Sequence, residues 1–331
     1  MTISPGPPPW PIPRSWTLTP PQRAGAATDV SPAWPEPATV PARAEHSGAM
    51  RRRIALLARD DAGARDVLGA VPGVTVDART IPAAAPGFAG VYALADAAAR
   101  ALSEGADGVV LVQAAAAAEE TAWALDLLHP GDAPLVLAAD PDQAADVADA
   151  ISVAAGVPDR AGCLLVARGE IHSARHVRWT GTRTPALTSP GAGPLGNVAA
   201  GVVRLLWRPP ERLTVRGAPN TGRMPRVGLH TAVLGDDGEL LGTLAGRCDG
   251  LIVAAGATGG VPDEIAGALA EAAARIPVVL ASPTGDGSLP VTTLDPLKAR
   301  VLMHLLLAAG RDREAVLSAF AAADRPGPAQ I

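Results

Sequence analysis

The chain has 331 residues, of which 48% are hydrophobic and 18% charged, with a formal net charge of −5 and a pI near 5.7. This length and composition are typical of a globular protein with a substantial core, and two compact domains fit better than one. The mildly acidic charge excludes a strong electrostatic footprint for nucleic acid or an anionic membrane surface. No apolar run approaches the roughly 18 residues of a membrane span, and the N-terminus does not resemble a secretory signal, so we expect a cytoplasmic protein.

The N-terminal segment, residues 1–49, is rich in Pro, Ala, Ser and Thr and contains Pro7-Pro8-Pro9-Trp10-Pro11. Such runs sustain neither a helix nor a central strand, so we predict a disordered extension here. Residues 325–331 form a predicted disordered tail. Met50 stands directly before the first apolar run, and the sequence leaves open whether translation starts at Met1 or at Met50.

From Ile54 onward, short apolar runs alternate with longer helical patterns, which predicts a parallel sheet covered by helices on both faces. The predicted strands lie at 54–58, 108–112, 134–138, 162–166, 227–233, 251–255 and 277–282. The predicted helices lie at 90–103, 119–129, 142–155, 262–275, 296–309 and 312–323. We therefore predict an α/β fold with a larger, doubly wound, mostly parallel N-terminal domain over 50–206. A Pro- and Gly-rich linker over 207–226 leads to a smaller C-terminal α/β domain over 227–324.

Motifs that carry chemistry by themselves are scarce. The chain lacks a GxSxG elbow, an HExxH pair and a GxxxxGK[ST] loop. The glycine-rich residues 255–260 follow a predicted strand and are a weak candidate for anion binding. His172 and His176 are four residues apart, but their segment reads as extended, so we predict neither a metal nor another cofactor. Glu119 and Glu120 are predicted in the first turn of a helix, where negative charge complements the dipole.

Longer segments are more informative, because several of them occur in a fixed order. Residues 106–112 read ADGVVLV, residues 119–128 read EETAWALDLL, and residues 133–137 read APLVL. This order resembles the central block of bacterial L-asparaginases and glutaminase-asparaginases. In that family a strand is followed by THGTDTxEETAxxLDL and then by KPVVLVGAMRP.

Three further segments extend the resemblance toward the C-terminus. Residues 170–177 read EIHSARHV and, with the threonines at 180–184, are similar to the family's NDEIHxARxVTKTxT. Residues 189–196 read SPGAGPLG and are similar to SPxxGPLG. Residues 293–302 read TLDPLKARVL and are similar to SGxLxPxKARxLL. The chain after Met50 is thus identified as a member of the asparaginase family, which implies the family's two-domain α/β fold.

The departures from the family pattern fall on its catalytic positions. In the family the first strand leads into TGGTIA, whose second threonine is the nucleophile, and the resemblance places Ala62 there. Asp60 and Asp61 replace the glycines of that loop. The Thr-Asp pair of THGTDT falls on Ala115 and Ala116. Amide hydrolysis needs an activated hydroxyl and a base, and alanine supplies neither.

The family lysine that works with that threonine is assigned here to Ala133, at the start of the segment that resembles KPVVL. Losing such a set of groups lowers catalytic rates by on the order of 10⁴ to 10⁶. Asp60, Asp61 and Gln113 are the candidate lining of an altered pocket. The resemblance also implies a homo-oligomer, a dimer or a tetramer, with sites formed where two subunits meet.

We therefore favour a catalytically inactive family member with a binding, regulatory or scaffold role, acting as a homo-oligomer or with a protein partner. Two alternatives stay open. The chain could be an amidohydrolase that cleaves L-asparagine or a related amide through residues not yet identified. It could also bind an amine or a cation through the altered pocket. None of the three hypotheses involves nucleic acid or a membrane.

Overall fold

The computed structural model describes residues 51–58, 71–81, 87–112, 117–138, 144–181, 187–207, 212–216, 223–256, 260–281 and 291–324. All of these residues belong to one compact unit. The predicted extension over 1–49 and the predicted tail over 325–331 lie outside the described residues.

The N-terminal strands make one large sheet and one small hairpin. In chain order they are β1 (Arg52–Ala58), β2 (Val74–Thr80), β3 (Gly108–Val112), β4 (Leu135–Ala138), β5 (Cys163–Ala167), β6 (Glu170–Ser173), β7 (Arg178–Trp179), β8 (Leu187–Thr188), β9 (Gly196–Ala199) and β10 (Val202–Leu205). The large sheet has eight strands in the order β10-β9-β6-β5-β4-β3-β1-β2, while β7 and β8 pair with each other. Strands β1 to β5 are parallel, and β6, β9 and β10 join antiparallel, so the predicted mostly parallel sheet is confirmed.

Three helices cover the large sheet on both faces. They are α1 (Phe88–Ser103), α2 (Ala118–Leu128) and α3 (Ala144–Gly156). Successive residues of a strand point to opposite faces, and β1 shows the result. Ile54 and Leu56 pack beneath α3, whereas Ala55 and Leu57 pack beneath α1 and α2. A strand buried on both faces reads as a continuous apolar run, which is why the sequence pattern located it.

The C-terminal strands form a second, parallel sheet in the order β11-β12-β13-β14. The elements are β11 (Val227–Thr231), α4 (Glu239–Ala245), β12 (Gly250–Ala254), a short 3₁₀ helix (Asp263–Ile265), α5 (Ala266–Arg275), β13 (Val278–Ala281), β14 (Val291–Thr292), α6 (Pro296–Ala308) and α7 (Arg313–Ala323). Helices α4 and α5 pack on the face of Leu251 and Val253, and α6 and α7 pack on the face of Ile252. Among the described helices, none is long and apolar enough to cross a bilayer.

Helix α2 belongs to the cores of both sheets. Ala122 and Leu125 face the large sheet, while Trp123 and Leu127 pack against α6 in the C-terminal core. The Trp123 indole N–H also donates to the backbone carbonyl of Lys298, 3.1 Å away. The two sheets therefore share a continuous core, and the predicted domain boundaries at 206 and 227 remain predictions.

The side chain of Lys298 is fully buried at this junction and is held by polar partners. Its ammonium donates to the carbonyl oxygen of Val177 at 2.5 Å and lies 3.2 Å from a carboxylate oxygen of Asp295. Asp295 also caps α6, because its carboxylate accepts the backbone N–H groups of Leu297 and Lys298. A buried charge is tolerated only when it is paired in this way.

The strands and helices predicted from the apolar runs are all present, and most of the missed elements are short. Strand β2 has an alternating polar sequence at the sheet edge, and β6 to β10 have two to four residues each. Helix α4 has seven residues and was also missed. The two- to four-residue strands are too short to leave a periodic signal, and turns rather than apolar runs determine their pairing. Strand β2 alternates apolar and polar residues instead of forming a continuous apolar run.

The β9–β10 turn places an alanine in a backbone conformation that favours glycine or asparagine. Ala200 has φ +50° and Gly201 has φ +74°. Two successive residues with positive φ are typical of a type I′ hairpin turn, in which Asn-Gly is preferred. The Cβ of Ala200 therefore costs roughly 1–2 kcal/mol in the folded state.

We predict that Ala200→Asn raises the free energy of unfolding by about 0.5–1 kcal/mol, because asparagine adopts positive φ more readily. Urea denaturation with an unchanged slope measures the shift in midpoint. Ala199→Asn is the matched control, since Ala199 is exposed in the neighbouring extended strand and should give no gain. An equal shift in both variants would contradict the backbone explanation.

His304 of α6 is buried against α1. Its ring stacks on Phe88 with the ring centroids 3.4 Å apart, and the residue is 2% exposed. Burial lowers the pKa of His304 to about 4, although the hydrogen bond to the backbone carbonyl of Pro225 favours the protonated form. The histidine is therefore neutral in the folded state at neutral pH.

We predict that His304 makes the fold sensitive to acid. The folded-state pKa of His304 is about 4, below the 6.5 of an unperturbed histidine, so the unfolded chain takes up the proton first as the pH falls. The free energy of unfolding should then decrease by up to about 3 kcal/mol between pH 6.5 and pH 4. His304→Phe should make the dependence of the urea midpoint on pH shallower over this range, and His176, whose pKa is also lowered to about 4, accounts for part of the remaining slope. The same slope in the natural chain and the variant would rule this out.

Candidate functional site

The topology of the large sheet indicates where the candidate site lies. In space the parallel strands run β2-β1-β3-β4-β5, so the chain reverses direction across the sheet between β1 and β3. Ligands of such open α/β sheets bind outside the carboxyl ends of the strands at this switch point. The last residues of the two strands, Ala58 and Val112, therefore start the loops that border the site.

The predicted catalytic and pocket positions fall on these two loops. Asp60, Asp61 and Ala62 lie within 59–70, after β1, and Gln113, Ala115 and Ala116 lie within 113–116, after β3. These residues are outside the described part of the chain, so their assignment to the site remains a prediction. The register of β1 and β3, with Leu57 paired to Leu111, brings the starting points of both loops to the same sheet edge.

The structure contradicts the placement of Ala133 at the site. Ala133 precedes β4, whose first residue, Leu135, is in register with Val109 near the start of β3. Its carbonyl oxygen accepts a hydrogen bond from the ring of His129 just beyond the end of α2. With about 3.3 Å per strand residue, Ala133 lies on the order of 15 Å from the carboxyl edge of the sheet. Ala133 is at the amino edge, and its assignment as the lysine position was wrong.

Strand β7, unlike Ala133, lies at the carboxyl edge of the large sheet. The backbone N–H of Trp179 donates to a carboxylate oxygen of Glu119 at 2.5 Å. Glu119 is in the first turn of α2, which starts just after the β3 loop, so Trp179 lies at the carboxyl edge. In the family motif VTKT, which residues 177–180 resemble, the lysine falls on Trp179. Trp179 is therefore a second candidate for the lysine position.

The first turn of α2 forms an acidic border of the site. Glu119 and Glu120 lie there as predicted, and the cap residue Ala117 makes no side-chain cap hydrogen bond. Glu119 is 8% exposed, and its carboxylate is held by the Trp179 amide. Glu120 lies 3.8 Å from the guanidinium of Arg300, and burial raises the pKa of Glu120.

The two histidines of the 170–180 segment do not form a ligand set. His172 is in β6 and His176 follows it in a turn, so the predicted extended conformation is confirmed for β6. A ring nitrogen of His172 hydrogen-bonds to the hydroxyl of Ser189 at 2.9 Å. Burial lowers the pKa of His176 to about 4. Within the described ranges, no group of three His, Cys, Asp or Glu side chains could hold a metal ion.

The glycine-rich loop after β12 is described only at its ends. The backbone N–H of Gly256 donates to the carbonyl oxygen of Gly260 at 2.9 Å, so this amide is already used within the loop. Residues 257–259 lie outside the described part of the chain. Anion binding by this loop therefore stays a prediction.

The fold and the switch-point site define an α/β protein of the doubly wound class, and three comparisons specify its family. The family model "Asparaginase, N-terminal" matches residues 62–211. A probable L-asparaginase from Deinococcus radiodurans is 34% identical over 254 residues, covering 66% of this chain and 76% of that relative. The crystal structure of a probable cytoplasmic L-asparaginase from Campylobacter jejuni superposes with a TM-score of 0.71 at 23% identity. That superposition covers 82% of this chain and 99% of the other, and it shows the shared fold. The chain belongs to the asparaginase family.

We predict that Glu119 is structurally important and that Glu120 is much less so. Glu119→Ala leaves the Trp179 amide without its acceptor and should lower the free energy of unfolding by about 1–3 kcal/mol. Glu120→Ala is the matched control, because its half-exposed pair with Arg300 should contribute at most about 1 kcal/mol. Urea denaturation of both variants measures the difference. Equal losses would contradict the role given to the Glu119 hydrogen bond.

Proposed function

We propose that this protein is a catalytically inactive member of the asparaginase family whose altered site serves binding rather than amide hydrolysis. The proposal rests on which side chains the described elements supply at the carboxyl edge of the large sheet. Strand β7 carries Trp179 at the position of the motif lysine, and the start of α2 supplies only Ala117 and the fully buried Ala118. Neither alanine nor an indole can act as a nucleophile or as a base.

The replaced side chains are the ones that amide hydrolysis requires. The reaction needs a hydroxyl or thiol nucleophile, a group that removes its proton, and donors for the oxyanion. The resemblance places the nucleophile at Ala62 and its partners at Ala115 and Ala116, and geometry together with the motif favours Trp179 for the lysine. All four side chains lack an ionisable group, so we expect a rate loss on the order of 10⁴ to 10⁶.

The family side chains that remain are occupied in holding the fold. The buried carboxylate of Asp126 accepts the backbone N–H of Cys163 at 2.8 Å and pairs with the Arg212 guanidinium at 2.9 Å. The guanidinium of Arg175 donates to the carbonyl oxygen of Ala323 at 2.9 Å, at the end of α7. Retention of such residues is explained by stability alone and does not require catalysis.

We also propose that the protein is cytoplasmic and that it assembles as a homo-oligomer, with a protein partner as the alternative. The Campylobacter jejuni neighbour is described as a probable cytoplasmic L-asparaginase, which supports the location. Family membership supports self-association.

The test is ammonia release from L-asparagine and L-glutamine by the natural chain, purified from a host without its own asparaginases. We expect no release above that of a heat-inactivated sample, because the reacting groups are replaced. A second preparation carries Ala62→Thr, Ala115→Thr, Ala116→Asp and Trp179→Lys. The matched control keeps the first three substitutions but carries Ala133→Lys in place of Trp179→Lys. Its rate of ammonia release should not exceed that of the natural chain, because Ala133 lies at the amino edge of the sheet.

The activity of the natural chain distinguishes the proposal from its main alternative. Turnover of either amide by the natural chain, proportional to its concentration, would show an active amidohydrolase that uses other residues. Higher activity of the Trp179→Lys set than of the Ala133→Lys set would support the reassignment of the lysine position.

A further inference from the structure

One face of the large sheet is open at its β10 end. Helices α1 and α2 cover this face over β1, β3, β4 and β5. On β9 and β10 every second residue is exposed on it, namely Asn197, Ala199, Val202 and Arg204. The alternate residues, such as Val203, pack under α3 on the opposite face. Val202 is 49% exposed and Leu206, directly after β10, is 57% exposed, so aliphatic side chains lie uncovered here.

The strand register places two opposite charges in one row of this face. Asn197 of β9 is opposite Glu170 of β6 on one side and opposite Arg204 of β10 on the other. Residues directly opposite in neighbouring strands point to the same face, and the strands lie about 4.8 Å apart. The backbones of Glu170 and Arg204 are therefore on the order of 10 Å apart, with an uncharged residue between them.

Both charged side chains of the row are accessible. The side chain of Glu170 is half-exposed, and its carboxylate lies 3.4 Å from the ring of the buried His172. Arg204 is exposed and has no ion-pair partner among the residues that the structure describes. We call the following six residues the open face: Glu170, Asn197, Ala199, Val202, Arg204 and Leu206.

The open face is complementary to itself in charge. In a symmetric dimer, a contact from residue i to residue j is matched by one from j to i. Two sheets stack about 10 Å apart, and a two-fold axis along β9 between two such faces carries β10 of one copy over β6 of the other. Arg204 of each copy then faces Glu170 of the other copy, and Asn197 faces its own equivalent. The stacked arrangement therefore pairs unlike charges at both ends of the row.

We propose that the open face is a self-association surface whose partner is a second copy of this chain. The proposal deepens the self-association proposed above by naming its surface, and it holds whether or not the chain hydrolyses amides. Val202 and Leu206 supply the apolar contact, and the Glu170–Arg204 pairs fix the register. The face covers on the order of 300 Å², less than the about 800 Å² per copy of a standard interface, so this pairing is weak and depends on protein concentration.

The experiment is sedimentation velocity of the full chain from micromolar to near-millimolar concentration. We expect the average mass of the natural chain to rise with concentration. Arg204→Glu makes both charges of the row negative, so like charges face each other across the axis and the association constant should fall at least about tenfold. Arg204 is exposed, so the variant should remain folded, which circular dichroism checks.

Reversal of both charges separates a contact between copies from an effect within one copy. Glu170→Arg alone should weaken association as Arg204→Glu does, because both charges of the row are then positive. The double variant restores unlike charges across the axis and should associate within about threefold of the natural chain. An equimolar mixture of the two single variants should also associate, as mixed dimers, because one row is wholly negative and the other wholly positive.

Arg313→Glu is the matched control, because it makes the same charge change at an exposed residue of α7 and should leave association unchanged. The inference is overturned if Arg204→Glu has the mass of the natural chain at every concentration, or if neither the double variant nor the mixture restores association.

The same data separate this inference from the proposed function. A constant oligomeric mass shared by the natural chain and Arg204→Glu would keep the proposed self-association but exclude this surface. A monomer at every concentration would exclude both. Ammonia release is measured separately and tests the loss of catalysis alone.

Discussion

The buried ammonium of Lys298 is the interaction on which the arrangement of this protein depends. Taking an ammonium out of water costs several kcal/mol, and the cost is offset only where partners meet it at close range. The Val177 carbonyl and the Asp295 carboxylate do so here. The backbone carbonyl of the same lysine accepts the Trp123 indole N–H, so one residue connects α6, α2 and the segment that leads into β7. The two sheets and the β7–β8 hairpin are therefore held in one geometry.

The contacts at this junction are separate from the loops that border the candidate site. The contacts that hold β7 beside α2 are made by Glu119, Val177 and Lys298, none of which lies on the two switch-point loops. The side chains of the two loops can therefore differ from the family pattern without the loss of any of these contacts. The same separation leaves the backbone of Trp179 at the carboxyl edge of the sheet, beside Glu119.

The elements that could be predicted from the sequence are those with long apolar runs. Strand β1 is buried on both faces and α2 carries an apolar pattern over eleven residues, so their own composition identified them. Strand β2 and the short antiparallel strands could not be found in this way, because their pairing depends on turns and on neighbours distant in the chain. The error at Ala133 has a related cause, since a residue before a strand and a residue after it lie at opposite edges of a sheet. The motif position at Trp179 was visible in the sequence, but its relevance depended on knowing which edge it reached.

The sequence by itself determined the family and the α/β class, because ordered motifs need no coordinates. The assignment of Ala62, Ala115 and Ala116 to the family's catalytic positions remains a prediction. Only the tertiary structure decided which residues share the switch-point edge. It excluded Ala133, placed Trp179 beside Glu119, and showed that the retained lysine of α6 is a buried structural group. The reason is physical: strand direction, burial and hydrogen-bond partners are set by contacts between segments far apart in the chain, and these contacts leave no local pattern.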